Sequence, residues 1–214
     1  MSRSPNATVA TNSESSSPTP PVAGDIPDLS HLDHKISLGL ILSALTGGTT
    51  VKHPVSSVVL RAYVRLVDKA VREYQLARSE LHSYRDTPGH VISPLFHAIG
   101  HMENCVNALL RALRFADVLR RDKHAPPISR TTATRLRKAT DALTGVRHAM
   151  EHMDERLATG QVQEGAAVAL ILGPNRLELA DRSIEWNELV LWIEMVHSLA
   201  VDFSGIRRTG QSDS

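Results

Sequence analysis

The sequence predicts an all-α protein, an up-and-down four-helix bundle with a short β-hairpin inserted before the last helix. Three observations support this fold class. Four long segments place apolar residues at helical spacings of three and four, and short connections rich in Pro and Gly separate them. Near residue 167 the apolar pattern changes to one typical of strands. Amphipathic helices joined by short connections bury their apolar stripes in an antiparallel bundle.

Composition sets the broad class. The 214 residues suffice for one domain with a tail, and 42% apolar residues suffice for a core. With 24 Lys and Arg against 23 Asp and Glu, the net charge of +1 excludes a wholly basic nucleic-acid coat and an acidic solvating protein. The single cysteine, Cys105, is expected to be a small buried side chain and indicates a reducing, cytoplasmic location. No apolar run is long enough for a membrane span, and no secretory signal is evident, so no membrane partner is expected.

Two segments precede the bundle. Residues 1–30 are rich in Ser, Thr and Pro and have no apolar period, which predicts a disordered tail. Residues 31–53 contain an apolar stretch from Ile36 to Leu45, which predicts a short helix packed on the body or a linker. The bundle itself is predicted over residues 54–206, and the polar residues 207–214 are predicted to fray.

The first two long helices are bounded by clear signals. The first begins at Pro54 and ends before Pro88-Gly89, and the second begins near Ser93 and ends near Lys123. Their apolar stripes are Leu60, Tyr63, Val67, Ala70, Tyr74, Ala77, Leu81 and Tyr84 in the first, and Leu95, Ile99, Met102, Val106, Leu109, Leu113 and Ala116 in the second.

The third helix is predicted from an N-cap at Ser129 to a stop at Gly160. Its stripe comprises Leu136, Ala139, Leu143, Val146, Met150, Met153 and Leu157. A hairpin is predicted over residues 167–180, where an apolar run, a Gly-Pro-Asn turn and an alternating segment follow one another. The fourth helix is predicted from about Ser183 to Phe203.

Charge is unevenly distributed along the chain. Residues 1–53 carry 3 basic and 4 acidic side chains, residues 54–157 carry 17 and 11, and residues 158–214 carry 4 and 8. The net charges are therefore −1, +6 and −4. Two interpretations remain open: a random surplus on solvated helix faces, or a basic site held by the middle helices.

The third helix also carries the most informative polar group, in which Arg147, His148, Glu151 and His152 lie off the apolar stripe. Arginine can hold a phosphate bidentately, and histidine can move a proton near neutral pH, so the pair suits metal-independent phosphodiester cleavage. Arg147 and His152 are about 140° apart on a regular helix. They would converge through the reach of arginine, a helix distortion, or a second subunit in a symmetric dimer.

The Arg-His-x-x-x-His string at 147–152, on a late helix of a four-helix bundle, resembles the Arg-polar-x-x-x-His motif of HEPN domains. The resemblance implies a metal-independent endoribonuclease of the toxin–antitoxin or phage-defence type, without cofactors, that acts on RNA as a homodimer and has a cognate antitoxin protein. It implies that Arg147 binds the scissile phosphate, that His152 is the general acid or base, and that His148 and Glu151 support them. The hairpin lies outside the minimal HEPN pattern.

The second helix has a polar stripe of its own, His97, His101, Asn104 and Arg111. We expect His101, Asn104 and Arg111 to flank a polar seam with the third helix, where Arg111 would contact the RNA backbone. The alternative is an ordinary solvated face.

Two other functions remain open on the sequence alone. In a non-catalytic interaction protein, Arg147 and Glu151 would form an ordinary i,i+4 surface pair. In a metal-binding bundle, the ligands would come from His97 and His101, His148 and His152, Glu194 and His197, with Glu103 and Glu151 as additional carboxylates. That donor set is poor in carboxylates for a di-iron site, so no metal is expected.

Overall fold

Four long helices form the bundle, which confirms the all-α fold class. The computed structural model describes residues 26–45, 51, 53–87, 91–161 and 167–205. The helices are α1 (Ile36–Leu45), α2 (Pro54–Asp86), α3 (Ser93–Arg121), α4 (Arg130–Glu151), α5 (Met153–Ala158) and α6 (Trp186–Ser204). The strands are β1 (Ala167–Leu172), β2 (Arg176–Ala180) and β3 (Arg182–Glu185).

The helices pack in a closed ring. α2 and α3 share the most extensive contact, α3 packs on α4, α4 on α6, and α6 returns to α2. The apolar stripes meet in one core, as the 3.6-residue period requires. Its fully buried large side chains include Tyr63, Tyr74, Met102, Leu109, Leu110, Leu113 and Leu143.

The segment before α2 is part of the body. Ile26 and Leu29 are buried in the core, and the Tyr74 hydroxyl donates a hydrogen bond to the carbonyl of Pro27 at 3.0 Å. Arg78 Nε donates to the carbonyl of Ile26 at 3.1 Å. The tail predicted over residues 1–30 therefore extends too far, because two isolated apolar residues suffice to anchor 26–30. Residues 1–25 lie outside the described part of the chain.

A buried carboxylate fixes the start of α1. Asp68 on α2 accepts hydrogen bonds from the backbone N–H groups of Ile36 at 3.0 Å and Ser37 at 2.8 Å, and from the Ser37 hydroxyl. Those two N–H groups have no partner within α1, so Asp68 caps the helix from another element. We call residues 26–45 the arm. The short helix predicted within 31–53 is confirmed as α1.

The insertion is a three-stranded antiparallel sheet, one strand more than the hairpin predicted over 167–180. β2 pairs with both neighbours, and Leu177 lies opposite Leu172 on β1 and Ile184 on β3. The third strand was missed because Ile184 is its single buried residue. Consequently α6 begins at Trp186 rather than near Ser183, and the indole N–H donates to the carbonyl of Gly173 at 3.0 Å.

The third predicted helix is interrupted. Ser129 caps it as predicted, accepting from the backbone N–H of Thr132 at 3.1 Å. It does not continue unbroken to Gly160, because α4 ends at Glu151 and α5 begins at Met153. Between them His152 has φ −114° and ψ 17°. Gly160 ends this region with φ +67°, a left-handed conformation that favours glycine. The predicted frayed end, 207–214, lies outside the described residues.

The Asp68→Ala substitution should loosen the arm. It removes the carboxylate that satisfies two backbone donors, so we expect the free energy of unfolding to fall by about 1–3 kcal/mol. Urea denaturation measures this loss, and limited proteolysis should show faster cleavage within residues 26–45. Asp141→Ala, which removes an exposed aspartate from α4, is the control. Equal denaturation midpoints for the two variants would contradict the capping role.

Candidate functional site

The α4 motif faces outward. Arg147 is half-buried, whereas His148, Glu151 and His152 are exposed, and the stripe residues Val146 and Ala149 beside them are buried in the core. The Arg147 guanidinium donates through Nε to Glu151 Oε1 at 2.7 Å and through its Nη2 to the same oxygen at 2.5 Å. The motif therefore includes a well-formed i,i+4 ion pair at the surface.

Arg147 and Glu151 line an open cleft between α3 and α4. Asn107 and Arg111 of α3 form the opposite wall, Met150 completes the lining, and the volume is about 370 Å³. We call it the α3/α4 cleft. The structure thus brings Arg111 to Arg147, as the polar seam predicted between these helices requires. Asn107 was missed, although its position four residues before Arg111 and three after Asn104 places it on the same helix face.

The two motif histidines form a separate group. The rings of His148 and His152 have centroids 4.4 Å apart and are tilted by 52°, and His152 Nδ1 lies 3.2 Å from Glu155 Oε2. Within the described ranges, no hydrogen bond joins His152 to Arg147. The helix interruption at His152 therefore does not bring the two residues together inside one chain.

His101 has a structural partner. Its Nδ1 lies 2.7 Å from Oε2 of Glu73 on α2, whose other oxygen accepts from Arg72 Nη2 at 3.0 Å. Burial alone would raise the pKa of Glu73, but the hydrogen bonds and positive charges of His101 and Arg72 hold it below the ordinary value of 4.5. This interaction ties α3 to α2. Asn104 is exposed on α3 and does not line the α3/α4 cleft.

The candidate metal ligands are dispersed. His197 Nε2 donates to the carbonyl of Asp33 at 2.8 Å, and His97 Nδ1 lies 3.7 Å from Glu80 Oε2. Glu103 is half-buried, and burial raises its pKa. Among the residues that the structure describes, no three His, Cys, Asp or Glu side chains are grouped so that they could hold a metal ion. The geometry therefore gives the metal-binding alternative no support.

Comparison with known proteins supplies no relative from which a role can be transferred. No protein-family model, curated protein or solved structure matches this chain. The HEPN resemblance therefore remains at the level of six residues and their helical setting. Of the helices in the described ranges, none combines the length and apolar character needed to cross a membrane.

The Glu73→Gln substitution should remove a pH-dependent part of the stability. Because the folded-state pKa of Glu73 lies below 4.5, its charged form stabilises the protein above that pH, and this contribution is lost as the pH falls through the folded-state value. We expect the variant to lose about 1–3 kcal/mol of stability at pH 7, and we expect this loss to shrink as the pH falls below 4.5.

Urea denaturation at pH 7, 5 and 3 measures this difference. Glu80→Gln is the matched control, because Glu80 also faces a histidine but at 3.7 Å and with a more exposed side chain. A Glu73→Gln deficit that is the same at all three pH values would show that the charge of Glu73 does not matter.

Proposed function

We propose that this chain is a metal-independent endoribonuclease of the toxin or phage-defence type that acts as a homodimer. The observation that supports this most directly is the α3/α4 cleft, in which Arg111 and Arg147 face the same solvent-open space. Two guanidinium groups across a cleft suit an anionic phosphodiester. Two exposed histidines follow Arg147 in the chain, His148 within α4 and His152 directly after its end.

The proposed reaction uses the 2′-hydroxyl of RNA as the nucleophile. His152 accepts the proton of that hydroxyl, the 2′-oxygen attacks the adjacent phosphorus, and the bond from phosphorus to the 5′-oxygen breaks. A histidine of the partner subunit protonates the leaving 5′-oxygen. The products are a 2′,3′-cyclic phosphate and a 5′-hydroxyl, and Arg147 balances the charge that develops on the phosphorane oxygens.

A second copy of the chain completes the site in this proposal. Within one protomer, Arg147 contacts Glu151 whereas His152 lies near Glu155, so the two residues do not share a site. A symmetric dimer interface would place residues 147–152 of one copy opposite the same residues of the other. Two copies would supply two arginines and two histidines and exclude water, which strengthens each charge interaction. Glu151 would neutralise Arg147 until the RNA phosphate competes for the guanidinium.

One observation favours a non-catalytic alternative. Arg147 donates to Glu151 through Nε and Nη2, and His152 lies near Glu155, so the motif has the contacts of an ordinary solvated helix face. In that case residues 147–152 would form a docking surface for a protein such as a cognate antitoxin. The two functions differ in what the purified chain does to RNA.

Purified protein should cleave total RNA in the presence of excess chelator. Arg147→Ala and His152→Ala should each lower the initial rate by roughly 10²–10⁴-fold, because they remove the phosphate clamp and the proton carrier. Gel electrophoresis of end-labelled RNA measures the rate and the termini of the products.

Arg135→Ala and His82→Ala are the matched controls, since both residues lie outside the α3/α4 cleft and the histidine pair. The assignment fails if the wild type leaves RNA intact in chelator, or if Arg147→Ala and His152→Ala cleave as fast as these controls.

A cysteine introduced at the exposed motif should report the dimer axis. Cys105 is buried, and burial raises the pKa of its thiol, so it is a poor competitor for thiol reagents. In the proposed dimer, His148→Cys should form a covalent dimer with a short bismaleimide, whereas Arg135→Cys on the same helix should not. Denaturing gels measure the yield. Equal yields from both variants, or a monomer by light scattering, would contradict the composite site.

A further inference from the structure

A second cleft lies where the arm crosses the bundle. It has a volume of about 410 Å³ and lies between α1, α2 and α3. We call it the arm cleft. Its charged and titratable lining comprises His34, Arg65, Asp68, Lys69, Arg72 and Arg111. Four of these six side chains are cationic at neutral pH and one is anionic, so the lining is strongly basic.

Among the described lining residues, the carboxylate of the arm cleft, Asp68, already has hydrogen-bond partners. Both oxygens of Asp68 accept hydrogen bonds from the first turn of α1, and the residue is buried. The polar contacts of Asp68 are therefore with the N-terminal turn of α1. Its hydrogen bonds also hold the arm in place as one wall of the cleft.

The cations of the arm cleft are exposed and largely unpaired. Arg72 shares Glu73 with His101, as described above. Arg65, Lys69 and Arg111 form no ion pair or hydrogen bond with any residue in the described ranges. Three exposed cations held near one another repel, and an anion that enters the cleft relieves that repulsion.

The cations also form a row. Arg65, Lys69 and Arg72 recur at spacings of four and three, so they share one face of α2 and span roughly 10 Å along its axis. Arg111 lines both the arm cleft and the α3/α4 cleft, so the two clefts adjoin at this residue. A ligand with regularly spaced negative charges fits this continuous arrangement better than a single phosphate does.

We infer that the arm cleft binds the phosphate backbone of single-stranded RNA and leads it past Arg111 into the α3/α4 cleft. The inference rests on the proposed function in taking RNA as the ligand, but it does not require cleavage. The lining formed by the described residues includes no Phe, Tyr or Trp for base stacking, so the contacts we infer are to the backbone. Binding should therefore be independent of sequence and strongly dependent on salt.

RNA binding in the arm cleft can be measured by fluorescence anisotropy. The probe is a labelled single-stranded RNA of mixed sequence, and the affinity is measured over a range of salt concentrations. For single strands each phosphate contact contributes about 0.7 to the slope of log affinity against log salt. The Arg65→Gln/Lys69→Gln double variant should lose about 1.4 of that slope and bind roughly 10–30-fold more weakly at 0.1 M salt. Each single variant should lose about half of that slope.

Arg135→Gln is the matched control, because it removes one exposed positive charge from α4 outside both clefts. Circular dichroism and thermal unfolding establish whether each variant folds. If the double variant does not fold, the two single variants are used for the binding measurement. The inference is overturned if the single and double variants keep the wild-type slope. It is also overturned if inorganic triphosphate binds as tightly as the RNA and depends on the same two residues.

Cleavage assays with the same variants separate this inference from the proposed function. If the wild type binds RNA through Arg65 and Lys69 but does not cleave it, the arm cleft is supported and the nuclease assignment fails. If the wild type cleaves RNA and the double variant keeps the wild-type KM and kcat, the nuclease assignment stands and the arm cleft is wrong. A raised KM with little change in kcat is the result expected when both are right.

Discussion

Burial of α3 against its neighbouring helices decides where Arg111, the residue shared by both clefts, lies. Its buried positions, among them Met102, Leu109 and Leu113, cover the face that meets α2 and the core. On a helix of 3.6 residues per turn, Arg111 lies roughly opposite the centre of that face. Arg111 therefore lies at the surface, where it lines both the arm cleft and the α3/α4 cleft. The packing of the core thus sets the position of the shared guanidinium.

The arm adds a second constraint. Asp68 is the residue that α2 presents to the start of α1, and its use as a cap leaves the neighbouring Arg65 and Lys69 without a carboxylate partner in the described chain. Capping a helix from another element thus stabilises the arm, while the four cations that line the cleft beneath it outnumber this one carboxylate. Four of the 17 basic residues in 54–157 therefore line one cleft, with Asp68 as the acidic residue of its described lining.

Much of the fold was predictable from the sequence because it follows from the apolar period. The stripes of the four long helices and the breaks at Pro and Gly are local properties of the chain. The arm, β3 and the interruption at His152 were not predictable in the same way. Ile26 and Leu29 are isolated apolar residues whose burial depends on contacts with α2, and no Pro or Gly marks the interruption at His152.

The residues of the site also differ in whether the sequence alone could predict their positions. Helix periodicity predicted that His101, Asn104 and Arg111 flank a seam with the third helix. Of these three residues, Arg111 lines the cleft with Arg147, whereas His101 and Asn104 do not. Helix periodicity did not identify Glu73 as the partner of His101, since 28 residues and a helix turn-around separate them. Nor did it identify Arg65 and Lys69, because their importance depends on Asp68 being used by the arm. The face on which a residue lies can be predicted from the helical period of the sequence. The partner of that residue on another helix depends on how the helices pack.

Photocrosslinking with 4-thiouridine RNA tests most directly whether the two clefts form one RNA path through Arg111. The account predicts crosslinked peptides, mapped by mass spectrometry, from α2 around 65–72, from α3 around 107–111 and from α4 around 147–151. Arg111→Gln should reduce the α4 crosslinks together with those on α2. Crosslinks confined to other surfaces, such as the three-stranded sheet, or a pattern that Arg111→Gln leaves unchanged, would contradict it.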